Sequence, residues 1–276
     1  MAAPTPNSLN LAITLAELDS RELPQEVWEE LCEAVEAGLF ERLSPEESWA
    51  FLERGLMCKQ PFKFMQILRH TGGLVRLLPE VDALFGIPQL SDAAETVDVG
   101  EHQERLMEET GKANAPMAVR FAALMHKIGK GGTPEEILPS HYKHEERGHA
   151  GLTRVAERFR VPPEVLELAH LVIDECDRVH RASDMRAGAI TMMVERVRAL
   201  EQPERFEQLL MVCTCDYAAY AGHSQAEYAK AERLRRAAAA CRGVKAEGLS
   251  KDDLLEARAA SVAEALKSVA WDLENS

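Results

Sequence analysis

The sequence predicts an all-α protein, and three observations support that prediction. Apolar residues recur at helical spacing in almost every segment, as in residues 25–38, where Val27, Leu31 and Val35 share one stripe. Helix start signals precede several segments, such as the Ser-Pro-Glu-Glu sequence at 44–47. The sequence contains no alternating apolar–polar pattern of useful length, no internal repeat and no low-complexity tract.

The predicted helices follow one another along the whole chain. In the stretch 74–85, Pro79 predicts a break between two short helices. A loop with Gly86 and Pro88 is expected to run to about residue 96, and a domain boundary is predicted near 86–97. Helices are predicted over residues 25–38, 44–57, 61–71, 74–85, 98–113, 117–128, 144–159, 163–176, 184–199, 204–221, 225–241 and 250–271.

Composition limits the functions that the chain can have. A formal net charge of −14 opposes unspecific nucleic-acid binding, because phosphate contacts require an excess of Lys and Arg on at least one face. No segment is apolar for long enough to cross a membrane, and the N-terminus lacks the features of a secretion signal. Six scattered cysteines without a Cys-x-x-Cys pair favour a reducing, cytoplasmic location.

The sequence FAALMHKIGKGG at 121–132 is the first candidate for chemistry. An apolar helix there delivers His126 and Lys127 to a turn that ends in glycines. Several of the nine histidines lie at the ends of apolar helices in the same way. Together with Asp177 and Asp216, they have the composition of a metal site built from separate helices, since imidazole and carboxylate groups bind divalent cations.

The motif His-Lys-Ile-Gly-Lys-Gly resembles the His-Asp-x-Gly-Lys signature of the HD superfamily, with Lys127 in place of the aspartate. That superfamily is all-α and includes metal-dependent phosphohydrolases. Further blocks resemble the C-terminal part of the bacterial tRNA nucleotidyltransferases (CCA-adding enzymes) that carry an HD domain. These blocks are PEVDALFGIPQ (79–89), VDVGEH (97–102), VRFAALMHKIGKG (119–131), LPSHYKH (138–144), RVPPEV (160–165) and the body-like segment 44–74.

The resemblance covers roughly residues 40–245 and implies a division of the chain into four parts. Residues 1–39 are a helical extension, 40–90 resemble the helical body of those enzymes, 91–245 resemble the HD domain, and 246–276 form a terminal amphipathic helix. The nucleotidyltransferase head, with its Asp-x-Asp pair for two Mg²⁺ ions, has no counterpart in this sequence. We therefore expect a head-less relative that does not add CCA by itself.

The resemblance also implies site residues. The expected metal ligands are His102, His126, His144 and Asp216. Whether they bind one divalent ion (Ni, Mn, Mg or Fe) is left open by the sequence. Additional ligands or neighbours of the ligands are expected at four further positions, namely His141, Cys176, Asp177 and His180. Cys176 stands where the family has a histidine, so the expected site departs from the family at this position and at Lys127.

The charge reversal at Lys127 decides the expected chemistry. Like charges a few ångströms apart in a poorly solvated site repel each other, so an ammonium and a metal ion compete for the same place. Lys127 can replace the ion, bind a substrate phosphate beside His126 and His144, or turn away from the site. We expect the first outcome, in which a degenerate site persists as a buried polar network with a Lys127–Asp216 or Lys127–Asp177 ion pair.

For RNA, the resemblance implies contacts from the body-like region. Candidate phosphate contacts are Lys59, Lys63, Arg69 and Arg76. The alternative interpretation of these four residues is an ordinary solvated helix face, which the net charge of −14 favours at least equally. A second basic stretch, 233–245, also fits the outer face of an amphipathic helix.

Three functional hypotheses follow. The first is a protein that binds RNA, such as tRNA, or a phosphorylated nucleotide or small molecule, with weak or no hydrolysis. The second is a metal-dependent phosphohydrolase, acting on phosphomonoesters or 2′,3′-cyclic phosphates. The third is a structural partner that pairs with a full-length relative through the terminal helix at 246–276. A membrane partner is not expected, and the sequence leaves homo-oligomer formation open.

Overall fold

A computed structural model describes residues 6–17, 25–91 and 95–274. Within these ranges the chain forms fourteen α-helices and two short strands, so the predicted all-α class is confirmed. The helices are α1 (Pro6–Glu17), α2 (Gln25–Glu36), α3 (Pro45–Met57), α4 (Pro61–His70), α5 (Gly73–Leu77), α6 (Pro79–Asp82), α7 (Val99–Lys112), α8 (Met117–Met125), α9 (His144–Arg158), α10 (Pro163–His180), α11 (Ala187–Arg196), α12 (Pro203–Ala218), α13 (Ala229–Gly243) and α14 (Lys251–Glu274). The strands are β1 (Pro88–Leu90) and β2 (Thr96–Asp98).

The helix start signals operate as the sequence predicts. Ser44 caps α3 with its side chain, and Glu47 returns a bond to the backbone of Ser44, so the first turn has both halves of a capping box. The predicted break at Pro79 is confirmed, because α5 ends before Leu78 and α6 begins at the proline. Helix α10 runs one turn further than predicted, and this extension brings His180 into the site described below.

The predicted loop over residues 86–96 is wrong in part, because β1 lies within it. β1 pairs with β2 in antiparallel register, with Pro88 opposite Asp98. Three residues per strand are too few for an alternating pattern, so the sequence offered no signal for this pair. Asp98 holds the end of the ladder, since its carboxylate accepts hydrogen bonds from the backbone N–H groups of Gly86 and Glu101. The second of these bonds caps α7.

The body-like helices and the later helices share one continuous apolar core. Trp49 of α3 packs edge-on against Phe121 of α8, with ring centroids 5.5 Å apart. The buried Arg120 guanidinium donates to the carbonyl oxygens of Leu56 and Cys58 at 2.7 and 3.0 Å, and so satisfies backbone groups at the end of α3. These contacts fix the position of α8, which leads directly into the site.

The terminal helix α14 packs against α11 and α13. Val262 and Leu266 are buried in this contact, and Arg258 forms an ion pair with Glu195. The described part of the predicted terminal amphipathic helix therefore uses its apolar face inside the chain. None of the helices in the described ranges combines the length and the apolar character that crossing a bilayer requires.

Candidate functional site

Four helices deliver polar side chains to one buried point. The first turn of α7 carries His102, the end of α8 carries His126 and Lys127, α10 carries Cys176 and His180, and α12 carries Asp216. All of these except His180 are less than a tenth exposed. These six residues, all named as candidates from the sequence, therefore lie at the ends and on the faces of separate helices. We call this group the central network: His102, His126, Lys127, Cys176, His180 and Asp216.

The turn after α8 positions the two central residues. His126 closes the helix by donating its backbone N–H to Ala122, and a 3₁₀ turn over Ile128–Lys130 follows. Gly129 lies so close to the start of α9 that a Cβ atom there would overlap the carbonyl oxygen of His144. The glycine is thus needed for a close approach of two backbones, which brings the turn and α9 together around the site.

Asp216 is the hub of the central network. Its Oδ1 atom lies 2.7 Å from Lys127 Nζ, 2.8 Å from His102 Nε2 and 3.4 Å from His126 Nε2. Its Oδ2 atom lies 3.1 Å from His180 Nε2. One carboxylate therefore faces an ammonium and three imidazole rings from three other helices and the turn. Of the two ion pairs that the sequence suggested for Lys127, the structure contains the one with Asp216.

The charges of this hub follow from burial and pairing. Burial acts to lower the pKa of Lys127, but the Asp216 carboxylate outweighs it, and the pKa lies well above its ordinary value. Burial acts to raise the pKa of Asp216, but Lys127 and His102 overcome it and hold the pKa well below its ordinary value. Burial and the Lys127 ammonium lower the pKa of His102 to about 4, so its ring is neutral at pH 7. Lys127 and Asp216 form a buried ion pair.

Two groups of side chains have the spacing of a metal-ligand set, with one donor atom from each member within 4.8 Å of the others: His144, Glu145 and Asp177, which are partly or fully exposed, and His126, Cys176 and Asp216, which are all buried. His126 Nδ1 donates to the carbonyl of Ala123 at 2.9 Å, which turns Nε2 toward the hub, where it has no hydrogen-bond partner. The Lys127 ammonium, however, already contacts the same Oδ1 atom that a cation would use. The residues present therefore do not fit a divalent ion at this point.

Cys176 belongs to the wall of the central network. Its sulfur lies 3.4 Å from His180 Nε2 and 3.5 Å from Cys213 Sγ. The Cys213 contact and burial both raise the pKa of Cys176, so it is a neutral thiol at pH 7. Burial acts to lower the pKa of His180, but the Asp216 carboxylate, 3.1 Å from Nε2, outweighs it and holds the pKa above its ordinary value. Tyr228 holds the other ring nitrogen of His180 at 2.8 Å.

A cleft opens beside the central network. It has a volume of about 310 Å³, and its polar lining includes Gln89, Lys130, Ser140, His144 and Asp177. Lys130 Nζ donates to Gln89 at 2.9 Å, while His144 Nε2 lies 3.6 Å from Asp177. Burial and the nearby Lys127 lower the pKa of Lys130 to about 8. The expected residues His144 and Asp177 therefore line this cleft and do not contact the Asp216 carboxylate directly.

His141 has a different surrounding from the other expected site residues. Its Nε2–H donates to the carbonyl of Pro88 at 3.0 Å, and Nδ1 accepts from the hydroxyl of Thr133 at 2.9 Å. Both ring nitrogens are thus committed to the protein, and burial and Lys130 lower the pKa of His141 to about 4. Its neutral ring ties the loop before α9 to β1.

The four candidate RNA contacts lie on or beside α4 and α5 and do not reach the central network. Arg76 forms an ion pair with Glu41 at 2.6 Å. The Arg69 guanidinium lies 3.8 Å from the centroid of the Phe85 ring. Lys59 is exposed and Lys63 is half-buried, and each of the two has a partner within the chain. The two arginines therefore have intramolecular partners that an RNA phosphate would have to displace or share.

Sequence reasoning missed three residues of this region. Lys130 occupies the lysine position of the His-Asp-x-Gly-Lys signature, so the motif could have identified it as a site residue. The Tyr220 ring packs at a tilt of 42° against the His102 ring, with centroids 4.3 Å apart, and its centroid lies 6.0 Å from the Lys127 ammonium. Tyr228 binds His180 from the residue before α13. Neither tyrosine belongs to a pattern that marks it in the sequence.

Comparison with known proteins relates the chain to one group. It is 42% identical over 217 residues to a Multifunctional CCA protein of Paraburkholderia phymatum, an alignment that covers 79% of this chain and 52% of that protein. Proteins of the same name from Leptothrix cholodnii and Cupriavidus metallidurans are 43% and 39% identical over 77% and 84% of this chain. The chain spans 51% and 58% of those two relatives, so it corresponds to about half of their length. No protein-family model matches it.

Proposed function

We propose that this chain is a metal-free binding relative of the Multifunctional CCA proteins, which takes up a phosphorylated group of RNA or of a nucleotide with weak or no hydrolysis. The observation that carries the proposal is the position of the Lys127 ammonium, 2.7 Å from Asp216 Oδ1 in the centre of the ligand-like residues. The resemblance of the sequence to tRNA nucleotidyltransferases suggests tRNA as the source of the phosphorylated group.

The first step of the argument is electrostatic. A divalent ion on Asp216 would lie within a few ångströms of the buried Lys127 ammonium, and repulsion between such charges amounts to several kcal/mol even at an effective dielectric constant of about 20. The ammonium compensates the Asp216 charge that a metal ion would otherwise compensate. We therefore assign Lys127 the electrostatic part of the metal's role without its Lewis acidity.

The second step concerns catalysis. A metal ion generates a hydroxide nucleophile by lowering the pKa of its bound water, and an ammonium group cannot do so. The remaining bases of the central network are poorly placed for this task, because His102 already bonds to Asp216 and His126 Nε2 is buried. Weak or absent hydrolysis is therefore the expected behaviour.

The third step locates the ligand. The cleft beside the central network exposes part of Lys130, whose ammonium donates to the side-chain oxygen of Gln89. His144 also lines this cleft, and its Nδ1 atom is bonded to the His141 carbonyl. An ammonium on a partly enclosed wall is a point-charge donor of the kind that binds phosphate. The basic residues of α4 and α5 support the alternative, an extended RNA surface, less well, because Arg76 already pairs with Glu41.

Metal analysis of the untagged protein is the most direct test of the central network. After dialysis against Mn²⁺ or Ni²⁺, the wild-type protein and His126→Ala should hold the same amount of metal, because the central network binds none. Lys127→Asp should hold one additional ion. Lys127→Met is the matched control, since it removes the ammonium without adding a carboxylate. A wild-type ion that is lost in His126→Ala, together with hydrolysis of 2′,3′-cAMP, would instead establish the metal-dependent phosphohydrolase.

The binding half of the proposal has its own test. Fluorescence anisotropy with a tRNA transcript and competition by AMP should show binding at low salt that weakens as salt rises. Lys130→Ala should weaken the binding of both tRNA and AMP. The control is Lys143→Ala, which removes an exposed lysine near the same cleft. Failure of both ligands to bind at low salt would refute this half. Light scattering on mixtures with a full-length relative would then test the structural-partner hypothesis.

A further inference from the structure

A second cluster of titratable side chains lies between α9 and α10, outside the central network. His149 of α9 contacts His170 and Asp174 of α10. The two Nδ1 atoms of the histidines are 2.8 Å apart, and His149 Nε2 lies 2.7 Å from Asp174 Oδ1. His149 and Asp174 are 33% and 50% exposed in their side chains, so the cluster is accessible from solvent.

The ring geometry shows how the two histidines face each other. Their centroids are 5.0 Å apart and their planes differ by only 21°. Since the centroid distance exceeds the 2.8 Å separation of the Nδ1 atoms by about two ring radii, the imidazoles meet edge to edge and not face to face. The N–H bond or lone pair of an imidazole nitrogen lies in the ring plane, so the two Nδ1 atoms are directed at one another.

The hydrogen-bond donors of the cluster fix one tautomer. The Asp174 carboxylate is an acceptor only, so His149 Nε2–H donates to it and His149 Nδ1 carries a lone pair. His170 Nδ1–H then donates to that lone pair. A proton shift within His170, from Nδ1 to Nε2, would leave two Nδ1 lone pairs facing each other. A carboxylate behind the first histidine is the usual support of a metal-bound imidazole.

We propose that His149 and His170 form a surface site for a borderline divalent cation of the Zn²⁺ class, bound by the two Nδ1 atoms and completed by water. Imidazole nitrogens are preferred ligands of Zn²⁺, Ni²⁺ and Cu²⁺, whereas Mg²⁺ and Ca²⁺ prefer oxygen. Bonds of about 2.0 to 2.1 Å at a tetrahedral centre require roughly 3.3 Å between the two nitrogens. Binding would widen the present 2.8 Å separation and turn both partly exposed rings, so that their Nδ1 lone pairs converge on the ion and no longer face each other.

The surroundings favour a cation at this place. Glu145 and Glu146 precede His149 by one helical turn on the partly exposed face of α9. Glu146 also lies 3.4 Å from the Lys143 ammonium and Glu145 lies 3.5 Å from His144 Nδ1, so these carboxylates add only part of their charge to the site. Arg178, the nearest cation on α10, donates to the Asp174 carbonyl and to the Glu175 carboxylate, so its charge is paired. The site also joins α9 to α10, and a bound ion would therefore stabilise the folded protein.

Titration of the untagged protein with Zn²⁺ alone, followed by calorimetry and by thermal unfolding, tests the proposal. The wild-type protein should bind one Zn²⁺ with an increase in Tm. His149→Ala and His170→Ala should each abolish that binding, and Asp174→Asn should weaken it roughly 10- to 100-fold. The exposed His70 lies on α4, so His70→Ala is the matched control and should bind as the wild type does.

Three outcomes would overturn the proposal: no Zn²⁺ binding by the wild type, unchanged binding in both histidine variants, or loss of binding in His126→Ala with retention in His149→Ala. The last of these outcomes would place the ion in the central network. It would refute the metal-free function proposed above as well as the site at His149 and His170. Should the alanine variants unfold, anomalous scattering from a Zn²⁺-soaked wild-type crystal decides, because the ion must lie between His149 and His170.

Discussion

Lys127 and Lys130 belong to the same turn, yet their surroundings are opposite. Lys127 is 3% exposed and its ammonium pairs with the Asp216 carboxylate. Lys130 lies at the wall of a cleft, and its ammonium donates a hydrogen bond to the neutral carboxamide of Gln89. The pKa of Lys127 lies above its ordinary value, because Asp216 outweighs burial, whereas burial and Lys127 lower the pKa of Lys130 to about 8.

The two lysines thus differ in how their charges are used: the charge of Lys127 is paired inside the protein, whereas the charge of Lys130 is available to a ligand. Lys127 stabilises a carboxylate that three imidazoles also contact, so its charge is used within the protein. Lys130 carries a charge that the fold does not fully compensate, and an anion in the cleft would compensate it. We propose on this basis that one turn contains a replacement for a cation and a receptor for an anion. The predictions below test this distinction from the largest expected effect to the smallest.

Removal of Lys127 should have the largest effect on stability. Lys127→Met removes the ammonium that lies nearest to the buried Asp216 carboxylate, and breaking such a pair from one side costs about 3–5 kcal/mol. Chemical denaturation should show this loss in the free energy of unfolding at pH 7. Lys130→Met is the matched control: it should leave stability unchanged or raise it, because the fold disfavours the charge at this position.

A double substitution distinguishes the ion pair from simple packing. Asp216→Asn alone should also destabilise the protein strongly, since it leaves the Lys127 ammonium buried without a carboxylate. The combination of Lys127→Met with Asp216→Asn should cost less than the sum of the two single substitutions. Strict additivity would mean that the two charges do not interact and would contradict the central network as described.

The glycine between the two lysines provides the second test. A Cβ atom at Gly129 would overlap the His144 carbonyl and approach the backbone of Gly148, so Gly129→Ala must push α9 away from the turn. We expect a loss of about 3 kcal/mol in the free energy of unfolding, as for severe overpacking. Gly188→Ala is the control, because a Cβ atom there meets no atom within 4 Å and the residue lies in α11. A neutral Gly129→Ala would show that the close approach is not required.

The sequence predicted the helical fold well, because amphipathic periodicity and capping residues are local signals. The break at Pro79 and the cap at Ser44 were correct for this reason. The β1–β2 pair was missed, since three-residue strands carry no periodicity and this ladder depends on Asp98 binding Gly86 across the turn. The N-terminal extension was expected to be helical, but α1 itself was not assigned.

The candidate site was predictable in its residues but not in its arrangement. A motif at 126–130 and an aspartate at 216 could be read from the sequence. That Lys127 points toward Asp216 and not into the cleft depends on packing of α8, α10 and α12, which no local pattern encodes. The pairing of His149 with His170 has the same cause, because the two residues are 21 positions apart and meet only when α9 packs on α10.

The pH dependence of stability is the third test of the comparison. The pKa of Lys130 is lowered in the folded state, so between about pH 8 and 10 the unfolded chain binds more protons than the folded one. Stability contributed by this group therefore rises with pH in that window, by about 2 kcal/mol. The wild-type protein should gain this amount relative to Lys130→Met in denaturation at pH 8 and 10. A constant difference between the two proteins would refute the lowered pKa.

Anion binding is expected to give the smallest effect and to discriminate most sharply between the two lysines. In calorimetric titrations with inorganic phosphate at pH 7, the affinity should be roughly ten-fold lower for Lys130→Met than for the wild type. This corresponds to about 1.4 kcal/mol for one lost charge-assisted contact. The wild type should lose the same binding as the pH rises through about 8, where Lys130 gives up its proton. Lys143→Met should bind like the wild type, because its exposed ammonium pairs with Glu146. If Lys130→Met and Lys143→Met weakened phosphate binding equally, phosphate would be responding to surface charge in general. Lys130 would then not be a specific receptor for the anion, and the proposed difference from Lys127 would be refuted.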